Sequence, residues 1–240
     1  MRRPRTRSAV VVAFSLCVLA LAFIAIHKQN TNAQRRNLAT SRPKQIGLAL
    51  HQYNEDLHWL PAASQGPDTT PGCSWHTALL PYLGHEATFT TIDHNLPWSQ
   101  GKQNPAFQQS IPQYINPAEP MPRLASGLAE THFAVNSHVF TPNKHLKFYH
   151  IADGCSTTIA AGEVSAGLRA WGDPDNARDP ILGVNPSRTT FGRSDKTGAQ
   201  FLFLDGSVRF LTPQTDAEIF DRYATPNGND YGPCELPPDL

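Results

Sequence analysis

The stretch "GDPDNARDP" at residues 172–180 sets three carboxylates, Asp173, Asp175 and Asp179, within seven residues. Hard oxygen ligands on one loop are the chemistry of a calcium site. The spacing lacks the central glycine of an EF-hand loop, and its distal glutamate position is Val184. Solvated acids bounded by prolines are the better reading, so no metal site is assigned; these three residues are the ones to follow if one exists.

Ten histidines raise the same question. His51 and His58 are seven apart, whereas helical metal pairs come at i, i+3 or i+4. His132, His138, His145 and His150 recur too loosely for a ligand set. "GHEATF" lacks the second histidine of a zinc protease helix. Glu163 and Asp153 would make an acid pair only if the fold brought them together. No nucleophile elbow, phosphate loop or dinucleotide fingerprint occurs. Trp59, Trp75, Trp98 and Trp171 have the chemistry to line a carbohydrate groove, but core packing is their commoner use. Catalytic and cofactor-binding residues are therefore assigned as none.

Asp205 is the remaining carboxylate of interest, in "QFLFLDGSVRFL" (200–211). An Asp-Gly pair between apolar runs is a strong hairpin signal. With Asp205 and Gly206 at the two central positions, Phe201 faces Phe210 and Phe203 faces Val208, all four on one side. Backbone geometry then accounts for Asp205 without catalysis.

Elements must hold these residues. Ile46, Leu50, Tyr53 and Leu57 repeat at i, i+4, i+7 and i+11, an apolar helical stripe. Pro43 suits the first turn of that helix, with Ser41 as N-cap, so a polar break is expected near 28–43 and a helix end before Pro61. Ten of the 21 prolines lie between Pro61 and Pro122, which predicts ordered loops with short elements. A short helix or strand is expected at 74–84, and strands at 132–140, 157–165 and in the hairpin. The tail 225–240 reads as irregular.

Residues 8–26, "SAVVVAFSLCVLALAFIAI", carry no charge. Nineteen helical residues span about 28 Å, close to the ~30 Å hydrocarbon core of a bilayer. Four arginines precede them, which sets the N-terminus in the cytoplasm and the body outside. "ALA" (20–22) and "TNA" (31–33) offer signal-peptide cleavage sites, but the run is long for a signal peptide, which favours a retained anchor. Beyond the run lie 16 basic and all 20 acidic residues, and that negative balance argues against a nucleic-acid partner. Of the cysteines, Cys17 lies in the run. Cys73, Cys155 and Cys234 allow one disulfide and one free thiol, with the pairing open. No Cys-x-x-Cys occurs, which argues against structural zinc.

Four stretches together carry a family resemblance: "KQIGLALHQYNEDLHWLPAA" (44–63), "SWHTALLPYLGHEATF" (74–89), "HIADGCSTTIAAGEV" (150–164) and "FLFLDGSVRFL". Their order and spacing resemble the planctomycete-type pseudopilin-like family of unknown function, often labelled secretion-pathway-G-like. The resemblance implies an α+β fold: a membrane helix and amphipathic stalk helix, then an antiparallel-β-rich, loop-rich, pseudopilin-like domain outside the inner membrane. It implies no activity, substrate or cofactor. Three features depart from the family pattern. The prepilin motif is missing from "SAVVVAFSL", the His of a His–nine residues–Asp-Gly signature is Asp195, and a frequent Cys-Pro is Asn116-Pro117.

The organisation expected is a basic cytoplasmic segment (1–7), an anchor (8–26), a polar break and amphipathic helix (27–60) and an extracytoplasmic domain (61–240). The function expected is a structural, assembly or adhesion role in the envelope, not an enzyme. Its partners are the membrane, through residues 8–26, and other envelope or pilin-like proteins, with no nucleic acid and no small-molecule cofactor. The alternative is a carbohydrate-binding or hydrolytic envelope domain using aromatic and acidic loops.

Overall fold

The computed structural model describes residues 37–66, 72–100, 104–120, 124–185 and 187–228. Residues 8–26, Cys17 and Cys234 lie outside them, and among the described residues no helix is long and apolar enough to cross a membrane. The architecture is α+β with mostly antiparallel sheets.

Helix α1 covers 37–57. Its buried side is Ala39, Pro43, Ile46, Gly47, Ala49, Leu50, His51 and Tyr53, with Ala39, Pro43, Ile46, Leu50 and Tyr53 at intervals of three and four. The apolar stripe therefore begins earlier than the sequence reading has it. The described part of the expected polar break, 37–42, is already helical, and Pro43 is interior rather than in the first turn. Ser41 does not cap the helix; its hydroxyl bonds back to the Leu38 carbonyl at 3.0 Å. Packing of Ala39 and Pro43 against the body outweighs the hydrogen bond that proline removes. At the other end Leu57 is 38 % exposed, so three of the four stripe residues are core and the fourth is rim.

Nine short strands follow among the described residues: β1 (Ser64–Gln65), β2 (Cys73–Ser74), β3 (Glu130–Thr131), β4 (Phe133–Asn136), β5 (Ile159–Glu163), β6 (Arg169–Ala170), β7 (Ala177–Arg178), β8 (Ala199–Phe203) and β9 (Val208–Leu211). Helices α2 (Trp75–Leu79), α3 (Glu86–Thr90), α4 (Asn104–Phe107) and α5 (Ala217–Ala224) complete the fold. The main sheet runs β7-β4-β5-β8-β9, antiparallel except for the parallel pair β4–β7. β1–β2 and β3–β6 form two small antiparallel ladders. The expected strands at 132–140 and 157–165 are present but shorter, and 74–84 is helical with a 3-10 turn at its end.

The sheet is covered on both sides. One face, with Leu202 and Leu204, packs with Ile46, Leu50, Tyr53 and the aromatic cluster Trp75, Phe107, Tyr114 and Trp171. The other face, with Phe201 and Phe203, packs under Phe191 and under Phe220 of α5. Helix α1 sits very close to β8: a Cβ on Gly47 would lie 2.8 Å from Leu202 Cδ1. That position is tight enough to favour glycine despite its helical cost.

The hairpin forms, but in a different register. Phe201 pairs with Arg209 and Leu202 with Val208. The Gly206 N–H donates to the Phe203 carbonyl at 3.0 Å and the Phe203 N–H to the Ser207 carbonyl at 2.9 Å. The loop is thus three residues, Leu204, Asp205 and Gly206, with only Gly206 at positive φ (79°). A one-residue slip moves side chains across the sheet. Phe201 and Phe203 therefore share a face with Arg209, whose guanidinium lies 4.3 Å from the Phe203 ring centroid. Val208 faces the α1 side, and Phe210 is 46 % exposed.

Candidate functional site

The most concentrated polar group lies at the end of β5. Glu163 is 1 % exposed. Its Oε1 accepts the Asn116 side-chain amide at 2.7 Å, and its Oε2 accepts the Gln200 backbone N–H at 2.8 Å. Burial pushes its carboxyl up to about 7, against the pull of the Gln200 N–H and the Arg193 charge. Glu119 and Asp195 add like charge and raise it further.

Arg193 answers these acids. Its guanidinium lies 3.5 Å from Glu119 and 3.8 Å from Asp195. The other Glu119 oxygen accepts the Ser194 N–H at 3.1 Å. Asp195 closes its own turn, accepting the Thr197 N–H at 3.0 Å and hydroxyl at 2.7 Å. Burial works to raise Asp195, but those bonds and Arg193 outweigh it and hold the carboxyl low. The group is sequence-distant: Asn116 and Glu119 come from a loop, Glu163 from β5, and Arg193 and Asp195 from the turn entering β8. The positions of Asn116 and Asp195, where the sequence departs from the resembled family, meet around one carboxylate.

Chemically this is a clamp. Both Glu163 oxygens receive protein donors, and Asn116 Oδ1 is itself filled by the Ala118 N–H at 2.9 Å. The arrangement can hold or release a proton near neutral pH while tying the 116–119 loop to β5 and β8. The hydroxyl–carboxylate contact within it, Thr197 on Asp195, spans two residues of one turn. Helix α1 joins at one edge, where Gln200 Nε2 donates to Thr40 Oγ1 at 3.3 Å.

The other chemistry-bearing residues are dispersed. Asp173 pairs with Arg169 at 2.8 Å and accepts the Asp175 N–H at 3.0 Å. Asp179 caps the following 3-10 turn through the Ile181 N–H and meets His138 at 2.8 Å. Among the described residues no group of three or more His, Cys, Asp or Glu side chains is arranged to hold a metal ion.

The histidines go to separate places. His51 is buried and stacks on Phe148, ring centroids 5.5 Å apart, while His58 is exposed at the end of α1 with φ 61°. Burial holds His51 below its usual value, against Asp205 and Glu55. His132 bonds the Pro120 carbonyl, His145 bonds the Leu60 carbonyl, and His150 lies edge-on to Tyr149. Sequence reasoning missed His76, which is fully buried between Trp75 and Tyr114 and bonds Thr131 Oγ1 at 3.0 Å. Nothing in its local sequence marks it as core.

Asp153 and Glu163 flank opposite ends of β5 and bond different partners. Asp153 Oδ2 accepts the Gly228 N–H at 2.5 Å and the Thr225 hydroxyl at 3.4 Å, anchoring the chain after α5. Asp205 accepts the Ser207 N–H at 2.9 Å within its own turn. The four tryptophans do not form one groove. Trp75 and Trp171 are fully buried, Trp98 stands edge-on to Phe107, and Trp59 packs on His145. Among the cysteines, Cys155 is disulfide-bonded, to a partner outside the described residues, and Cys73 is free and buried.

In comparison with known proteins, the family described as "protein of unknown function (DUF1559)" matches residues 32–187, more than half of the chain. No curated protein and no solved structure matches.

Proposed function

The chain belongs to the DUF1559 family, and from that premise we propose that it is a membrane-anchored, pseudopilin-like envelope protein. Its role is assembly or scaffolding rather than catalysis. Residues 8–26 hold it in the inner membrane with the N-terminus in the cytoplasm, and α1 carries the body on the outer side.

One observation carries the reading. Helix α1 is continuous from 37 to 57, about 31 Å long, and lies so close to the sheet that a Cβ on Gly47 would come within 2.8 Å of the Leu202 side chain. A stalk so fixed transmits the position of its N-terminal end to the whole body. Its outward side keeps Leu38 at 43 % and Leu48 at 50 % exposure. The two lie about 15 Å apart along the helix, and Leu48, opposite the buried side, marks the face a neighbouring envelope helix would meet.

The test is a photo-crosslinking amino acid placed at Leu48 in cells, with Leu182, exposed on the far side of the body, as comparison. A discrete adduct with a second copy or another envelope protein at Leu48, and none at Leu182, is expected. No adduct at Leu48 removes the assembly role. A cytoplasm-dependent reporter fused after Leu240 should be silent, and an active one reverses the topology.

A further inference from the structure

A cleft of about 390 Å³ opens between the end of α1, the β1–β2 ladder and helices α2 and α3. That volume falls within the ~300–1,000 Å³ typical of small-molecule sites. Its floor is Cys73, Ser74 and Thr77, none more than 2 % exposed. Its walls are aromatic: Tyr53 and Tyr82 meet edge-to-face at 5.7 Å, and Phe89 lies 4.6 Å from the His94 ring. Leu57, the rim residue of the α1 stripe, stands at the mouth.

The geometry points to a binding site for an uncharged, ring-bearing small molecule in this cleft, a role that goes beyond and does not rest on the assembly reading. Two observations carry it. First, none of the lining residues is Asp, Glu, Lys or Arg, so an anionic ligand would lose its hydration without gaining a counter-charge. Second, two pairs of aromatic rings present faces and edges suited to a planar ring.

The titratable lining groups agree. Burial raises Cys73 to about 11 and Tyr82 to about 12, where Asp56 beside the phenol adds to the effect. Burial also lowers His94, outweighing Asp93. Each shift keeps the group neutral at neutral pH, so the cleft offers polarity without charge. Tyr53 and Tyr82 are held for this role: Gln65 Nε2 donates to the Tyr53 hydroxyl at 3.1 Å, and the Tyr82 hydroxyl donates to Asp56 at 3.0 Å.

The test uses full-length protein and two probes sharing one ring system: 2-naphthol, uncharged at neutral pH, and its 6-sulfonate, an anion. Hydrogen exchange followed by mass spectrometry reads the peptide 73–90 directly, whatever partitions into detergent. At about 1 mM, 2-naphthol should slow exchange there about threefold or more, the factor expected at twice Kd. The sulfonate should bind at least about tenfold more weakly. Equal protection by both overturns the neutral ligand class, and protection by neither overturns the site. Ala78→Phe fills the cleft and should abolish protection by 2-naphthol while keeping the unfolding temperature; retained protection places the ligand elsewhere. Should that variant not fold, Leu57→Glu at the exposed mouth should weaken 2-naphthol about fivefold or more, and unchanged affinity overturns the placement.

Discussion

Asn116 donates its side-chain amide to Glu163 across 2.7 Å, joining a loop to the middle strand of the sheet at a point almost without solvent. A buried carboxylate with two N–H donors should prefer to be ionised, yet burial wins and lifts it to about 7. The chain thus stores a pH-dependent cost in its core.

The sign of that dependence follows from linkage. The folded value, about 7, lies above the ordinary carboxylate value of 4.5. The contribution of Glu163 to stability is complete below 4.5 and is lost as pH rises through 7. The loss is on the order of 3 kcal/mol. Urea unfolding of the wild type and of Glu163→Gln from pH 4.5 to 8 reads it, because the acids away from this group titrate alike in both. The stability of the wild type relative to the variant should fall across that range. A flat difference would mean that the fold does not hold the Glu163 carboxyl above its ordinary value.

The α1 stripe divides into core and rim. Leu50 is 3 % exposed and sits in the cluster with Trp75 and Leu202, so Leu50→Ala should cost about 2–5 kcal/mol. Leu57 is 38 % exposed, so Leu57→Ala should change stability by no more than about 0.5 kcal/mol. Thermal unfolding of the two variants side by side tests the packing. Comparable losses would mean that the helix end is buried by something more than this body.

The hairpin separates two roles that the sequence places side by side. Gly206 has φ 79°, and a β-branched residue there is strained, so Gly206→Val should cost about 1–2 kcal/mol or more. Asp205 needs only an acceptor for the Ser207 N–H, and Asn supplies one. Asp205→Asn should therefore unfold within a few degrees of the wild type. A large loss would point instead to the carboxylate charge, felt by His51 across the α1 contact.

How far the sequence speaks is visible in this same hairpin. Asp-Gly between apolar runs located the turn and both strands. It did not fix the loop length, because a neighbouring segment intervenes. The Leu204 N–H donates to the Thr158 carbonyl and the Asp205 N–H to the Cys155 carbonyl, which draws both residues into the loop. Pro43 is a similar case. Local propensity starts a helix there, whereas burial of Ala39 and Pro43 carries it back to residue 37. Helix α5 received no expectation, although Asp216 caps it and Phe220 and Ala224 mark its buried side. The Glu163 group was out of reach for a different reason. Its members come from three segments, and no local spacing reports that Asn116 bonds Glu163 while Arg193 pairs with Glu119 beside it.

Cys73 and Cys155 should differ sharply in chemistry. Cys155 is disulfide-bonded, and removing such a bond typically costs about 2–5 kcal/mol, so reduction should lower the unfolding temperature. Cys73 is free, 2 % exposed and raised to about 11 by burial. Alkylation needs the thiolate, whose fraction at pH 8 is then about one in a thousand. Native full-length protein treated with iodoacetamide should leave Cys73 unmodified on the peptide map, and the same treatment in urea should modify it. Because Cys73 forms part of the floor of the aromatic cleft, its labelling also reports on that cavity. Fast labelling in the native state would show the floor open to water and the thiol ionised, contrary to a cleft that keeps its polar groups neutral. Slow labelling that 2-naphthol slows further would place the ring against the sulfur.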